Sequence, residues 1–259
     1  MTGLLIAVAA LWGAAVGVLV PRAAYRFSVP PDEAWRDRCP GGHPMRGPIR
    51  GWIGWARCGE CAGGAVVTSA AETAVLTRMY GPSTPLVALT TALLCAALAA
   101  ATDTRPEVAV WLLLAPVGVL LAVVDFRVQR LPDVLTLPLA AAALVLLGLV
   151  TLVPEHTGHW PSAALGALAL GGGYLVLFLI NPGGMGFGDV KLALGMGAVL
   201  GWYGWATVMV GTLAGFLLGA LYGGALVVAR RAGRKTGIPF GPFLIAGAFL
   251  GVLIGAYAA

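Results

Sequence analysis

Three aspartates stand where an apolar chain has reason to exclude them. Asp125 closes the run L-L-A-V-V-D, Asp133 follows Pro132 in L-P-D-V-L-T-L-P, and Asp189 ends N-P-G-G-M-G-F-G-D. An aspartate at the centre of a membrane helix costs about 2.5–3.5 kcal/mol on insertion scales, so carboxylates kept near such segments point to function. Two carboxylates about 4 Å apart at an effective dielectric near 20 repel by roughly 4 kcal/mol. Such a pair holds one proton between them near neutral pH: the ionised member activates water and the protonated member polarises a carbonyl. Asp125 and Asp189 are the pair expected to meet. Gly183, Gly184, Gly186 and Gly188 let the backbone leave helical geometry and an extended peptide come close. Non-helical backbone at that depth must be buried or line a wet cavity, which is what a membrane hydrolase needs. Each aspartate also has a bland reading. Asp125 can end a span and pair with Arg127 or Arg130, while Asp133 and Asp189 can sit at helix starts, favoured by free N–H groups and the helix dipole.

A second group of chemical residues is Cys39-x3-His43, then fourteen residues, then Cys58-x2-Cys61. This spacing matches a structural zinc site, with unligated thiols as the alternative. Cys95, in an Ala/Leu-rich run, reads as a small core residue.

The elements that must position these groups follow from composition. Of 259 residues 59% are hydrophobic and 10% charged, and mean hydropathy is +0.90. Soluble domains run near 25% charged, and disordered chains are polar, so both classes are excluded. Eight apolar stretches, at 3–20, 84–102, 108–124, 134–153, 162–180, 191–204, 206–229 and 240–258, approach the roughly 20 residues that cross a bilayer. The sixth is short. Continuous Leu/Ala/Gly-rich runs argue against a β-barrel, whose strands alternate. The expectation is an all-α polytopic transmembrane bundle of about eight spans: a first helix at 1–20, a cytoplasmic loop subdomain at 21–83 and a catalytic bundle at 84–259. A signal peptide is the competing reading of the N-terminus, but no basic segment precedes Leu4 and Pro21-Arg22 follows directly, which favours a retained span.

Fifteen of the sixteen basic residues fall on the side holding the long loop, and only Arg105 lies opposite. The positive-inside rule then makes that side cytoplasmic and both termini external. Thiolates in a cytosolic loop suit a metal better than a disulfide. The net charge of +5 reports topology and attraction to anionic lipid headgroups, not nucleic acid.

Three stretches carry a family resemblance: V-D-F-R-V-Q-R-L-P-D-V-L-T-L-P-L at 124–139, G-M-G-F-G-D-V-K-L-A-L-G-M-G-A-V-L-G-W at 184–202 and K-T-G-I-P-F-G-P-F-L at 235–244. In this order they resemble the signature regions of the type IV prepilin leader peptidases, aspartic membrane endopeptidases of the G-x-G-D type. The resemblance implies that Asp125 and Asp189 are the catalytic aspartates, that Gly186 and Gly188 are the G-x-G-D glycines, and that Lys191 has an electrostatic or structural role. It implies a prepilin or pseudopilin substrate, cut at the cytoplasmic face of a bacterial inner membrane between a basic leader and an apolar helix. Proteolysis of this kind needs no cofactor. Many members also methylate the new N-terminus with S-adenosylmethionine through a loop bearing two C-x-x-C pairs. Here Cys58 and Cys61 resemble the second pair and Glu72 falls near the family's loop glutamate. The first pair keeps Cys39 but has Gly42 at the second position, with His43 one residue later, which puts methyl transfer in question.

Other classes make different demands. A proton-coupled transporter with an intramembrane Asp pair predicts inverted repeats and helices broken at mid-membrane, and the sequence shows neither. A zinc metalloprotease needs H-E-x-x-H, whereas the histidines are His43, His156 and His159 alone. Presenilin-like proteases share G-x-G-D but not the L-P-D and I-P-F-G-P-F stretches.

Overall fold

Proline sets most of the breaks between the apolar runs. A ring-locked φ and a missing N–H suit the first turn of a helix and the residue before it, so a proline there starts one helix and ends what precedes it, while Pro116 and Pro138 lie inside helices. The computed structural model describes residues 2–30, 33–63, 79–230 and 237–259. Its helices are α1 (Thr2–Gly17), α2 (Val20–Phe27), the short turns α3 (Pro48–Gly51) and α4 (Gly59–Gly63), α5 (Thr84–Thr102), α6 (Glu107–Val128), α7 (Asp133–Val150), α8 (Trp160–Ile180), α9 (Phe187–Trp202), α10 (Trp205–Val228) and α11 (Gly241–Ala258). Proline stands in the first turn of α2, α5, α8 and α11, and Pro106 and Pro132 immediately precede α6 and α7.

Among the described residues the fold is all-α, with two isolated β-bridges in the loop. Six helices, α5 to α8 with α10 and α11, are long and apolar enough to span a membrane, and α1 with α2 forms one further pair bent by 40°. The sixth predicted stretch is α9. Its 16 residues reach about 24 Å, short of the roughly 30 Å of hydrocarbon. Twelve of those residues are buried, against five in the 24-residue α10, so α9 is the post around which the bundle is built. It packs on α7, α8, α10 and α11. The α8 contact is close because it is made of glycines: a Cβ on Gly166 would lie 2.5 Å from the Gly197 carbonyl oxygen. Small residues allow this approach where lipid supplies no hydrophobic drive between helices.

Arg105, alone on its side by sequence, is tied into the end of the bundle far from Asp125. Its guanidinium donates to the carbonyls of Ala101, Thr102 and Ala256 and to Thr157, whose hydroxyl donates to fully buried Glu107. At the other end α2 joins the loop to α6. Val20, Ala24 and Phe27 pack on Val119, Leu120 and Val124, and Arg130 donates to the Pro30 carbonyl at 2.8 Å. In the loop, Phe27, Trp35 and Trp52 cluster, with Arg26 stacked on Trp52. Glu72 lies outside the described residues.

Candidate active site

The last turn of α6 delivers Asp125 into the protein. The helix stops because Gln129 adopts a left-handed conformation (φ 50°, ψ 43°) and its N–H closes on the Asp125 carbonyl at 2.8 Å. Pro132 then forces an extended backbone, and α7 begins at Asp133. This tight connection leaves Leu131 buried between the helix ends. The Asp125 side chain is 4% exposed, and its Oδ2 accepts the backbone N–H of Gly241, the first residue of α11, at 3.0 Å.

Asp189 is placed by the opposite device. Residues 181–186 leave helical geometry after α8, and α9 starts at Phe187. Asp189, in the first turn of α9 and 6% exposed, accepts the Gly186 N–H through Oδ2 at 3.2 Å. The helix-start reading of Asp189 is therefore part of the geometry, and it fixes which way the carboxylate points. Gly188, beside Asp189, and Gly241, which holds Asp125, both pack on Leu131, so the two carboxylates come to the same end of the bundle. Leu131 sits between their supports: a Cβ on Gly188 would lie 2.8 Å from its Cβ, and one on Gly241 would lie 3.2 Å from its Cδ1 and 2.9 Å from Asp125 Oδ2. The four loop glycines do not use left-handed backbone. Gly188 is required by close packing. At Gly186 an added Cβ would make only an ordinary 3.6 Å contact with Asp189 Oδ2, so that flank of the carboxylate is open.

Among the described residues Asp125 makes no ion pair with Arg127 or Arg130; the ion pairs are Lys191 with Asp133 and His43 with Glu60. Lys191 Nζ stands 2.6 Å from Asp133 Oδ2 and over the Phe187 ring, pinning the start of α9 to the start of α7. Asp133 thus supports Lys191 and is not itself drawn into the buried pair. Sequence reasoning missed two residues on which this geometry depends, Gly241 and Leu131. Tyr174 of α8 is 2% exposed, stacked on Phe216 and tilted against Phe240, and its hydroxyl has no partner among the described residues.

The Cys/His group assembles as its spacing predicted. One ligand atom from each of Cys39, His43, Cys58 and Cys61 lies within 4.8 Å of all the others. Cys39 Sγ is 3.7 Å from Cys61 Sγ and from His43 Nδ1, and His43 Nδ1 is 3.7 Å from Cys58 Sγ and 3.2 Å from Cys61 Sγ. A tetrahedral zinc with Zn–S near 2.3 Å has S···S edges of about 3.8 Å, so the donor set fits that ion. A Cβ on Gly41 would meet Cys61 Sγ at 2.7 Å, which reserves this turn for glycine. Burial raises both thiols of the C-x-x-C pair and mutual hydrogen bonding splits them: Cys58, held by the Cys61 backbone and thiol, comes down to about 7, while Cys61 is pushed up to about 12. A thiol that ionises near 7 is readily held as thiolate by a metal.

The fold and the buried carboxylates define a polytopic helical membrane protein with an aspartate pair at one end of its bundle. A profile of the type IV leader peptidase family matches residues 112–224, a segment that contains both aspartates. The prepilin leader peptidase/N-methyltransferase of Aeromonas salmonicida is 33% identical over 244 residues, 89% of this chain and 74% of that protein. The protein of the same name from Aeromonas hydrophila is 34% identical over 252 residues, 91% of this chain and 76% of its own. That from Pseudomonas aeruginosa is 34% identical over 183 residues, 68% and 59% respectively. No solved structure matches. The chain belongs to the type IV leader peptidase family, and its apolar helices fit a multi-pass inner-membrane protein.

Proposed function

We propose that this chain is a prepilin leader peptidase whose catalytic dyad is Asp125 and Asp189. The observation that carries the reading is the arrangement of the two carboxylates. They come from separate helices at one end of the bundle, each is buried, and each is tied through Oδ2 to a backbone N–H, leaving its other oxygen for water or substrate. The ionised aspartate takes a proton from water as the hydroxide oxygen bonds to the scissile carbonyl carbon. The protonated aspartate gives its proton to the carbonyl oxygen, and the resulting diol collapses as the C–N bond breaks and the amide nitrogen is protonated. A leader with a new carboxylate and an apolar stem with a new amine result. Gly186 leaves the space beside Asp189, Gly188 brings α9 onto Leu131, and Lys191 holds the helix start through Asp133.

The substrates are prepilins or pseudopilins. Their basic leader stays in the cytoplasm and their stem lies among the helices, which sets the dyad at the cytoplasmic face and both termini outside. Residues 1–20 form the first span, 21–83 the loop subdomain and 84–259 the catalytic bundle. Cys39, His43, Cys58 and Cys61 hold a structural zinc, which shapes the loop and takes no part in proteolysis. Methyl transfer is the second activity in the relatives' names. S-adenosylmethionine would supply the methyl group, and the cavity beside the Cys/His cluster, lined by Arg22, Arg46, Arg57, Glu60 and Tyr80, offers arginines for its carboxylate and a glutamate for its ammonium.

The test is incubation of the purified protein, and separately of Asp125→Asn and Asp189→Asn, with a membrane-embedded prepilin, reading product mass. Leader loss with the wild type alone is expected, and a further methyl mass on adding S-adenosylmethionine establishes the second activity. Cleavage by either variant at the wild-type rate overturns the dyad. Asp133→Asn is expected to keep partial activity.

A further inference from the structure

The bundle keeps an apolar cavity of about 90 Å³ between α5, α6, α7, α9 and α11. Its wall includes Trp111, Gly118, Leu139, Met196, Ala248 and Phe249, and every residue lining it is apolar. Among the lining residues Trp111 alone carries a side-chain nitrogen or oxygen, and its Nε1 donates to the Tyr203 hydroxyl at 3.2 Å. The cavity is open on one side, and its apolar lining offers dispersion contacts to an apolar group that enters it.

Its place in the helix register sets it apart from a packing fault. Gly118 precedes Asp125 by seven residues on α6, Met196 follows Asp189 by seven on α9, and Ala248 follows Gly241 by seven on α11. Seven residues make nearly two turns, so on all three helices the cavity lies on the same face as the site, about 10 Å further along the axis. Asp125 and Gly241 touch directly, and Gly188, next to Asp189, packs on the same Leu131 as Gly241, so the cavity lies in line with the dyad, in the direction of the hydrocarbon.

We propose that this cavity is a specificity subsite that takes one large apolar side chain of the substrate's stem, on the far side of the scissile bond. The inference rests on the peptidase reading and extends it. A peptide cut at the dyad with its leader in the cytoplasm, and its stem along the face that these three helices share with the site, runs past this cavity. A distance of about 10 Å is three residues of extended chain or seven of helix. The occupying side chain therefore belongs to the third to seventh residue after the cut. A cavity of roughly 150 Å³ admits a benzene, so the smaller space here suits a branched aliphatic or a partly inserted ring.

Two substitutions test this in opposite senses. At Gly118 an added Cβ meets only Ile245 Cγ2, at 3.5 Å, so Gly118→Leu projects into the cavity without striking backbone. Phe249→Ala enlarges it. Each purified variant is given prepilins in which residues three to seven after the cut are changed singly to Ala or to Trp, and kcat/KM is measured for each. Gly118→Leu is expected to lower kcat/KM on the native substrate about 10–200-fold, chiefly through KM, with recovery for the one substrate carrying Ala at the occupying position. Phe249→Ala is expected to accept Trp at that same position, where the wild type rejects it. If Gly118→Leu does not fold, Phe249→Ala decides. Unchanged preferences in the folded variants overturn the subsite and leave a lipid chain as the occupant. Failure of the wild type to cut any prepilin overturns the peptidase reading instead, and the subsite with it.

Discussion

Gly241 holds Asp125 with an amide that any residue but proline carries, yet only glycine leaves room for the carboxylate beside it. A methyl group there would press on Asp125 Oδ2 at 2.9 Å and on Leu131. Gly241→Ala is therefore expected to lower kcat at least about tenfold while the protein still inserts and folds, as read by single-turnover cleavage. The two glycines of G-x-G-D should respond differently. Gly188→Ala drives a Cβ into Leu131 and is expected to cost about 1–3 kcal/mol in detergent unfolding. Gly186→Ala has space, and should lose activity with little loss of stability. The aspartates were legible because a charged residue in an apolar run is conspicuous. Gly241 and Leu131 were not, since a backbone donor and a leucine in a leucine-rich chain look like all the others. The Gly-rich loop was legible as a loop, but the reason for Gly188 is contact with another element, which composition does not reveal.

At the scale of elements, α9 is the helix to perturb. It is too short to cross a bilayer unaided, and its glycine face lies against α8. Gly197→Leu should separate the two helices and destabilise the bundle more than the same change at Gly224 of α10, where an added Cβ meets nothing within 4 Å. Thermal unfolding in detergent would rank them. The Lys191–Asp133 pair connects α9 to α7, but Asp133 is 58% exposed, so a double-mutant cycle on stability is expected to give a coupling below about 1 kcal/mol. The sequence exposed the helices and the brevity of the sixth stretch, because prolines and apolar runs are local signals. It hid the partner of Lys191: Asp133 at a helix start already had a sufficient local explanation, and a cross-helix pair depends on which helices become neighbours.

At the scale of the whole molecule, α2 joins the loop with its Cys/His cluster to the bundle with its buried aspartates. Cys58→Ser is expected to abolish the binding of about one zinc per chain, measured by metal analysis, and to open residues 33–63 to protease while leader cleavage persists. The contact of Val20, Ala24 and Phe27 with α6, one residue from Asp125, was invisible in a sequence that showed only a loop beginning at Pro21. The Gly241 amide has one more consequence, for the order of biosynthesis. Asp125 and its anchor are 116 residues apart, and the anchor begins the last helix. A chain emerging from the ribosome possesses both aspartates long before the first is held in place. A chain shortened to end before Gly241 is therefore expected to insert its earlier helices and yet leave a prepilin uncut, as read by product mass.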